Sequence, residues 1–370
     1  MSERILIHCD LDAFYASVET IHHNLDPQIP LIIGSDPKSG QGRGIVSTCN
    51  YAAREYGVRS AMPISEAWRR CPGPPLGPAL YHRGAHRLYR RASNRVMNIL
   101  SQHANKFEQA SIDEAYLDVT ELCSGDWNLA EAFCRELQQL IHDDISLSAS
   151  FGIAPTRVAA KMASEARKPG GIFLVPPGGL REFFSAHECR AVPGIGPKAA
   201  QLLGEMGIET LDDAYREGPD YLADAFGKRR AEALWRVLEG ESSNQVSALR
   251  SRKSIGKEYT FSHDVSNPET VFEMLTNLVQ RVTKKLRELE ITARNIEVKL
   301  RYKGFETLSH ARSLPISLDD EETFERIATR LLANIYDTNR PVRLVGFRLG
   351  DLEAPPNRQS SLDAFTEDDD

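Results

Sequence analysis

Two aspartates at the end of an apolar strand constrain this sequence more than any other feature. Residues 7–19 are IHCDLDAFYASVE, and apolar residues alternate over residues 4–11, a pattern that predicts a strand. Asp10 and Asp12 therefore fall at the end of a core element. An isolated ionised carboxylate in such an interior costs several kcal/mol or more. We therefore expect a positive partner at this point, and we expect it to come from outside the sequence.

The size and composition of the chain indicate a multidomain globular protein. About 100 to 200 residues per domain predicts two to four domains in 370 residues. No run approaches the roughly 18 apolar residues of a membrane span, and His8 and Asp10 interrupt the apolar N-terminal run that a signal peptide would need. We expect a cytoplasmic protein without membrane contact. Its six cysteines are expected to be free thiols, because no C-x-x-C pair occurs and the sequence shows no sign of export.

The charge is distributed unevenly along the chain. The net charge is −7, and five acidic residues with no basic residue lie in the last twelve positions. Residues 226–257 and 277–303 each contain eight basic and three acidic residues. On charge alone, solvated helix faces account for these two tracts as well as nucleic-acid binding does.

Hydrophobic periodicity predicts an α+β or α/β sheet domain over the first 168 residues. In its first helix, 13–21, we expect Phe14, Val18 and Ile21 to face inward and Asp12 to cap the N-terminus. The remaining predicted strands are 30–34, 44–49, two short strands around 111–113, and 146–154; the remaining helices are 50–71 with a break at Met62-Pro63, 84–102, 128–142 and 155–166.

The texture of the sequence changes after residue 168. Short helices and glycine turns follow, and then a polar stretch without apolar periodicity that predicts a linker. A separate small α+β unit comes next, with predicted strands 254–261, 295–304 and 343–352 and predicted helices 268–290 and 319–336. Residues beyond 353 are expected to form a disordered tail.

A second acidic pair, Asp113 and Glu114, falls at the predicted hairpin turn in SIDEAYLD. Adjacent strand residues face opposite ways, so both can reach one site only if a turn or bulge redirects one of them. With Asp10 they make three hard oxygen ligands, which favour Mg²⁺ over Zn²⁺ and fit phosphoryl transfer by a metal pair. On spacing alone, a helix cap and an ordinary surface turn are the favoured interpretation, because turns are rich in aspartate.

Five sequence blocks, in order, resemble the Y-family translesion DNA polymerases of the DNA polymerase IV branch. The blocks are DLDAFYASVE, STCNYAAREYGVRSAMP, SIDEAYLDVT, FGIAPTRVAAKMASEARKPGG and VPGIGPKAAQLLGEMGI. The resemblance covers about residues 4–350, and the combination of five blocks is highly specific. It implies a low-fidelity, distributive DNA polymerase that transfers nucleotides from dNTPs to a primer 3′-hydroxyl and has no proofreading exonuclease.

The resemblance also implies an α+β right-hand fold built from several domains. The palm would span residues 1–12 and 81–168, and the fingers residues 13–80. A helical thumb with a helix-hairpin-helix would span residues 169–240, and a linker residues 241–252. An α+β little finger would span residues 253–352, and a disordered tail residues 353–370. The expected partners are primer-template DNA, dNTPs and a sliding clamp, and the chain is expected to be monomeric.

The acidic residues take on specific roles through the same resemblance. Asp10 and Asp113 would hold two Mg²⁺ ions, Leu11 would lend its backbone carbonyl to a metal, and Glu114 would complete the catalytic site near the primer end. Tyr15 matches the steric gate, an aromatic ring under the incoming sugar that leaves no volume for a ribose hydroxyl.

Phosphate-binding residues follow from the resemblance as well. Tyr51 and Arg54, three apart on one helix, and Lys161 would bind the triphosphate, although a solvated face is the usual role of a lone helix lysine or arginine.

Two further sets of residues would contact DNA. Glycines let the backbone approach a phosphate at a helix N-terminus, although an ordinary glycine-rich turn is the alternative. Alternation on a strand places the basic residues of EVKLRYK on one face. The predicted DNA-binding residues are Gly194, Gly196, Lys198, Lys299, Arg301 and Lys303.

The tail contains a spacing typical of clamp-binding peptides. Gln359, Leu362 and Phe365 fall at i, i+3 and i+6, which is more like the archaeal and eukaryotic clamp motif than the compact bacterial one. A chance pair of apolar residues in a disordered tail is the alternative.

Two rival functions remain open at this point. A metal-dependent cyclase also uses acidic strands, but it needs neither the hairpin motif nor the basic C-terminal unit. A DNA-binding repair scaffold without catalysis predicts a broken acidic set, whereas all three acids are present.

Overall fold

The computed structural model describes residues 4–104, 106–176, 178–241, 244–247 and 252–354. The chain divides into two compact units, Met1–Leu249 and Arg250–Asp370. The three predicted clamp-binding residues, Gln359, Leu362 and Phe365, lie outside the described residues.

Among its described residues, the first unit contains eight strands and ten α-helices. The strands are β1 (Leu6–Leu11), β2 (Leu31–Gly34), β3 (Val46–Cys49), β4 (Leu80–His82), β5 (Lys106–Gln109), β6 (Glu114–Asp118), β7 (Ala149–Ala154) and β8 (Ile172–Leu174). The helices are α1 (Phe14–His22), α2 (Tyr51–Glu55), α3 (Ile64–Arg70), α4 (His86–His103), α5 (Trp127–Ile145), α6 (Arg157–Glu165), α7 (Leu180–Ser185), α8 (Pro197–Glu205), α9 (Leu211–Phe226) and α10 (Lys228–Leu238).

A five-stranded sheet in the order β5-β6-β1-β7-β8 forms the centre of the first unit. Its middle strand β1 is buried at every position because helices cover both faces. Odd-numbered residues such as Ile7 and Cys9 join the apolar core with α1, α4 and α5. On the opposite face the His8 imidazole bonds to Ser164 of α6. The strand predicted at residues 4–11 is therefore confirmed.

Gly152 sets how closely α6 approaches this sheet. It lies opposite His8 in the β1–β7 pairing. A Cβ at this position would fall 2.0 Å from the carbonyl oxygen of Ala160 and 2.4 Å from the backbone nitrogen of Ser164. Only a residue without a side chain permits this contact between helix and strand.

A smaller sheet, in the order β3-β2-β4, packs with α2 and α3 around its own apolar cluster. Asn50 joins the start of α2 to β2, because its side-chain oxygen accepts the backbone N–H of Ala53 at 3.0 Å and that of Leu31 at 2.9 Å. The predicted break at Met62-Pro63 is confirmed, but the predicted helix 50–71 was wrong over residues 56–61, which are also non-helical between α2 and α3. Two residues there, Gly57 and Ala61, have positive φ angles that end a right-handed helix.

The predicted linker is partly bound to the first unit. Over residues 244–247, Asn244 accepts the backbone N–H of Arg157 at 3.1 Å and Ser247 donates its N–H to Glu108 at 3.2 Å. Glu108 lies on β5, the edge strand of the five-stranded sheet, and forms an ion pair with Arg157. These four residues therefore follow the sheet edge.

The second unit is an antiparallel sheet in the order β11-β10-β12-β9. Two helices pack on it around one apolar cluster. Its elements are β9 (Ser254–Val265), α11 (Pro268–Glu288), β10 (Thr292–Tyr302), β11 (Thr307–Leu318), α12 (Glu321–Ile335) and β12 (Val342–Glu353). Strand β11 was missed from the sequence because this edge strand is largely exposed and its apolar alternation is confined to Leu314, Ile316 and Leu318, beside Pro315.

Two sequence expectations can be compared directly with burial. All six cysteines are free and buried, as predicted. Phe14 and Val18 are buried, but Ile21 is 45% exposed, so its predicted inward orientation was wrong. In the described part of the chain, none of the helices combines the length and hydropathy needed to cross a membrane.

Candidate active site

The β1–β6 pairing brings two of the predicted acids face to face. Asp10 lies directly opposite Glu114 in this antiparallel pair. Opposed residues point to the same face of a sheet, with Cβ atoms about 4.5–5.5 Å apart. That face is the one on which α6 packs, so both carboxylates point away from the apolar core.

Asp113 reaches the same end of the sheet through a turn. Its carbonyl accepts the N–H of Leu11 at 3.0 Å, which ties the turn to β1. Ser111 Oγ accepts the backbone N–H groups of Asp113 at 3.2 Å and Glu114 at 3.1 Å, and it donates to Asp113 Oδ1 at 2.5 Å. The turn ends as β6 begins, so neighbouring acids can serve one site without both lying on a regular strand.

Asp10 is a buried carboxylate with a lysine beside it. The side chain of Lys168 places Nζ 2.6 Å from Asp10 Oδ1 and 2.5 Å from Glu165 Oε1. Burial raises the pKa of Asp10 to about 7, and the charge of Lys168 opposes that rise without cancelling it. The expectation that the positive partner would come only from outside the sequence was wrong, because Lys168 supplies part of the compensation from the α6–β8 loop.

Glu114 has the opposite electrostatic setting. His8 Nε2 lies 3.6 Å from Glu114 Oε2, and Lys161 Nζ lies 2.6 Å from the same oxygen. These two neighbours lower the pKa of Glu114 to about 2, against the effect of partial burial. His8 itself is fully buried, and burial lowers its pKa. Glu114 is therefore ionised over the whole physiological range, whereas Asp10 still needs positive charge.

The donor set fits a hard divalent cation. It consists of carboxylate oxygens from three acids and the neighbouring backbone carbonyl of Leu11, the oxygen ligands that Mg²⁺ prefers. The raised pKa of the buried Asp10 shows that one lysine does not fully compensate its charge. Over the described residues, the oxygens of Asp10, Asp113 and Glu114 do not all lie within 4.8 Å of one another.

Asp12 is a structural residue of the β1–α1 connection. Its carboxylate accepts the hydroxyls of Ser148 at 2.6 Å and Ser150 at 2.8 Å and the backbone N–H of Gly170 at 2.8 Å. Helix α1 instead follows Ala13, whose φ is 46°, and has no side-chain cap. The predicted helix cap was therefore wrong: Asp12 holds the loop that carries Lys168.

Tyr15 lies in a stack of rings beside the acids. Its ring is 4.2 Å from that of Tyr89 at an interplanar angle of 12°, and His86 meets it edge-on at 6.0 Å. Burial raises the pKa of Tyr15, and the charge of Asp113 adds to the rise. Tyr89 is fixed in turn, because its hydroxyl donates to Glu19 at 2.5 Å. Tyr15 is thus a supported, partly exposed ring, while Phe14 is buried in the core.

The predicted triphosphate ligands occupy different surroundings. The Arg54 guanidinium lies 4.5 Å from the centre of the Tyr51 ring, on α2. Among the described residues, the Tyr51 hydroxyl is buried without a hydrogen-bond partner, and burial with the charge of Asp12 raises its pKa. Lys161 contacts Glu114 and is not directed into solvent alone. The orphaned hydroxyl is a polar atom suited to a ligand.

The glycine motif forms an open turn ahead of α8. Gly194 has a φ of 99°, Gly196 directly precedes the helix, and a Cβ at either position would meet nothing within 4 Å. Lys198 is exposed in the first turn of that helix. The backbone here is accessible to a phosphate approaching the helix N-terminus.

Basic residues line one face of β10 in the second unit. Lys299 and Arg301 alternate with buried Val298 and Leu300, as the sequence predicted. Lys299 Nζ lies 2.7 Å from Glu258. Arg301 donates to the hydroxyl of Thr307 at 2.8 Å. The third predicted residue, Lys303, falls one position beyond the strand, in the turn to β11.

Lys168, beside Asp10, and His8, beside Glu114, are residues of the acidic site that sequence reasoning missed. Lys168 lies seven positions after Lys161, within one of the five quoted blocks. A signal was available in the run ARKPGG, where a lysine precedes a proline and two glycines in a loop. Only the fold, however, shows that this loop returns to Asp10.

Profiles of one protein family match most of the chain. The impB/mucB/samB family matches residues 9–165, and the C-terminal domain of that family matches residues 252–362. The DNA polymerase IV of Methanoculleus marisnigri is 37% identical over 365 residues, which are 98% of each chain. The DNA polymerase IV of Streptococcus sanguinis is 35% identical over 352 residues, covering 95% of this chain and 98% of the relative.

Solved structures agree with these relatives. A Y-family DNA polymerase chimera, Dbh-Dpo4(243-245)-Dbh, superposes with a TM-score of 0.84 at 30% identity and covers 94% of this chain and 99% of its own. DinB from Sulfolobus solfataricus has a TM-score of 0.63 at 29% identity and covers 94% and 98% of the two chains.

Proposed function

This chain belongs to the Y family of translesion DNA polymerases, in the DNA polymerase IV branch, and on that premise we propose that Asp10, Asp113 and Glu114 hold two Mg²⁺ ions. As a DNA-directed DNA polymerase of α+β fold it acts on DNA with dNTPs and needs divalent metal ions. The observation that supports this assignment is the register of β1 and β6, which sets Asp10 opposite Glu114 with Asp113 in the adjoining turn.

Bound at these carboxylates and the Leu11 carbonyl, the ions would lower the pKa of the primer 3′-hydroxyl and neutralise charge on the triphosphate. The chain supplies the rest of the electrostatics. Asp10 gains from the cations because it is a desolvated carboxylate. Lys161 and Lys168 add positive charge beside Glu114 and Asp10, where the phosphates of the nucleotide would approach.

Tyr15 would exclude ribonucleotides. The Tyr89 ring behind it prevents Tyr15 from yielding in that direction, so a 2′-hydroxyl would meet a supported aromatic wall. The Tyr15 ring, held by stacking and burial, would supply this steric effect. The Tyr15 hydroxyl is not required for it.

Tyr51, Arg54 and Lys161 would bind the triphosphate. The unpartnered Tyr51 hydroxyl and the guanidinium held over its ring support this assignment. Both are suited to phosphate oxygens, which accept hydrogen bonds and carry negative charge.

DNA would be held by two sequence-independent surfaces. The backbone around Gly194 and Gly196, with Lys198, would contact phosphates from the helix N-terminus of α8. Lys299, Arg301 and Lys303 would contact them from the second unit. These contacts neutralise phosphates, so DNA binding would weaken steeply as the salt concentration rises.

The proposed domain limits are those of the polymerase hand: a palm of residues 1–12 and 81–168, fingers 13–80, a thumb 169–240 and a little finger 253–352.

We further propose that the chain is a monomer that binds a sliding clamp through its tail. Removal of residues 357–370 is expected to abolish clamp-stimulated synthesis and to preserve basal synthesis. A tail-less variant with full clamp stimulation would contradict the clamp proposal.

Primer extension by Asp113→Ala tests the acidic site. The turn position of Asp113 is partly exposed, so the fold is expected to persist. Extension with dNTPs and Mg²⁺ is expected to fall at least about a thousandfold, because a charge-stabilising ligand is removed. Asp118→Ala, at the other end of β6, is the matched control and should extend primers normally. Near wild-type rates from Asp113→Ala would refute the assignment.

A further inference from the structure

A second cluster of metal-ligating side chains lies at the C-terminal end of α1. Glu19, His23 and His82 each offer one ligand atom, and the three atoms lie within 4.8 Å of one another. His23 Nε2 is 3.0 Å from Glu19 Oε2, and His82 Nδ1 is 3.5 Å from the same oxygen. Two imidazoles from different elements thus point at one carboxylate.

The local structure explains why these residues meet. Glu19 and His23 are four residues apart at the C-terminal end of α1, so they share one helix face. The backbone N–H of His23 donates to the Glu19 carbonyl at 3.0 Å, which fixes the last turn. His82 is the last residue of β4 and reaches the cluster from the three-stranded sheet.

Burial divides the cluster into a fixed and an accessible part. Glu19 is 2% exposed, and its other oxygen accepts the Tyr89 hydroxyl at 2.5 Å. The His23 and His82 side chains are 47% and 30% exposed. The carboxylate is therefore held in one orientation while both imidazoles remain reachable from solvent, an arrangement in which an ion could enter and find preoriented ligands.

We propose that Glu19, His23 and His82 form a binding site for a divalent transition-metal ion, with Zn²⁺ as the preferred occupant. Zinc bonds of about 2.0–2.2 Å in a tetrahedron place neighbouring ligand atoms about 3.3–3.6 Å apart. The two separations from Glu19 Oε2, 3.0 and 3.5 Å, are already close to that edge length. Water would supply the fourth ligand.

The ligand chemistry separates this site from the acidic site on the five-stranded sheet. Imidazole nitrogens favour Zn²⁺, Cu²⁺ and Ni²⁺, whereas an all-oxygen set suits Mg²⁺. A dipositive ion would also compensate the charge of the buried Glu19 carboxylate that lies between the two imidazoles. Excess Mg²⁺ should therefore occupy the acidic site without displacing zinc from this cluster.

Zinc content provides the test. Four proteins are dialysed against ZnCl₂ in excess Mg²⁺: the wild type, the His23→Ala and His82→Ala variants, and a His142→Ala control. Bound zinc is then measured by mass spectrometry. His142 is an exposed histidine of α5, with 68% of its side chain accessible. We expect about one zinc ion per chain in the wild type and in His142→Ala, and at least a tenfold weaker affinity in each of the other two variants.

Cobalt supplies an independent reading of the same site. Co²⁺ in a tetrahedral nitrogen and oxygen environment gives a visible absorption band, which should appear with the wild type and disappear in both ligand variants. Primer extension in zinc-free buffer should remain, which shows that the variants have folded. Equal zinc content in wild type and ligand variants, or no zinc retained by the wild type, would overturn the proposal.

Discussion

Two ion pairs of almost equal length in the two units show how burial changes the meaning of a contact. Lys168 and Asp10 are 2.6 Å apart with side chains 16% and 11% exposed, and Lys299 and Glu258 are 2.7 Å apart with side chains 34% and 47% exposed. The first pair leaves a carboxylate whose pKa is raised to about 7. The second is a surface pair, worth about 0.2–1 kcal/mol. Distance alone therefore does not separate a buried charge from a solvated one.

The strongest test of this contrast replaces the acid of each pair. Asp10→Asn removes a charge that nucleotide transfer is proposed to require, so single-turnover incorporation should fall at least about a thousandfold. Glu258→Gln removes a charge of the same sign from the exposed pair and should leave the rate within about twofold. Comparable rate decreases in the two variants would break the distinction between the units.

Stability against pH provides the second test, measured in EDTA by urea unfolding. The folded pKa of Asp10, about 7, lies above its ordinary value of 3.8. The stabilising contribution of its protonated form is therefore fully present below about pH 4 and is lost as the pH rises through 7. The stability of the wild type relative to Asp10→Asn should fall over that window by at most about 4 kcal/mol.

The contribution of Glu114 to the free energy of unfolding changes with pH in the opposite direction to that of Asp10. Its folded pKa of about 2 lies below the ordinary value of 4.5. Its contribution is present above about pH 4.5 and is lost as the pH falls through 2, so Glu114→Gln should differ from the wild type most at neutral pH. A pair of difference curves with the same sign would contradict the environments assigned to the two acids.

Sugar discrimination compares two aromatic residues, one from each unit. Tyr15→Ala should raise ribonucleotide incorporation about 10- to 100-fold relative to deoxyribonucleotides, because the supported ring no longer fills the space at C2′. The control is Phe305→Ala, since Phe305 is 64% exposed in the second unit. Incorporation assays with matched rNTP and dNTP pairs measure the ratio. Unchanged discrimination by Tyr15→Ala would refute the steric role.

The smallest expected effect lies in the second unit. The double variant Lys299→Ala, Arg301→Ala should weaken primer-template binding about threefold to tenfold at low salt and leave the rate of bound complexes unchanged. The logarithmic salt dependence should become shallower by about 0.9 for each phosphate that the variant no longer neutralises. Glu258→Gln frees Lys299 and should move affinity the other way. A salt slope equal to that of the wild type would contradict DNA binding by this face.

Local pattern was sufficient wherever one strand or helix carried the information. The alternation around Ile7 and the turn at Asp113 predicted β1 and the β5–β6 hairpin, because successive side chains of a strand point to opposite faces of a sheet. The family motifs then assigned the acids, and the strand register now places Asp10 opposite Glu114.

Interactions between distant segments could not be predicted in this way. Nothing near Asp12 in the sequence shows that it would bind Ser148, Ser150 and Gly170 instead of capping α1. Lys168 reaches Asp10 from 158 positions away. Strand β11 was missed for a different reason: its apolar alternation is confined to the last residues, 314–318, and Pro315 within that run argues against a strand.

Gly152 has a consequence that extends beyond packing. Any side chain at this position would push α6 outward, and the helix carries Lys161, the partner of Glu114, and Ser164, the partner of His8. Gly152 thus sets the position of the Lys161 and Ser164 side chains through the distance between α6 and the sheet. In a saturation screen scored by DNA synthesis, position 152 would rank among the catalytic residues although it has no functional group, and the defect would be traced to a displaced lysine.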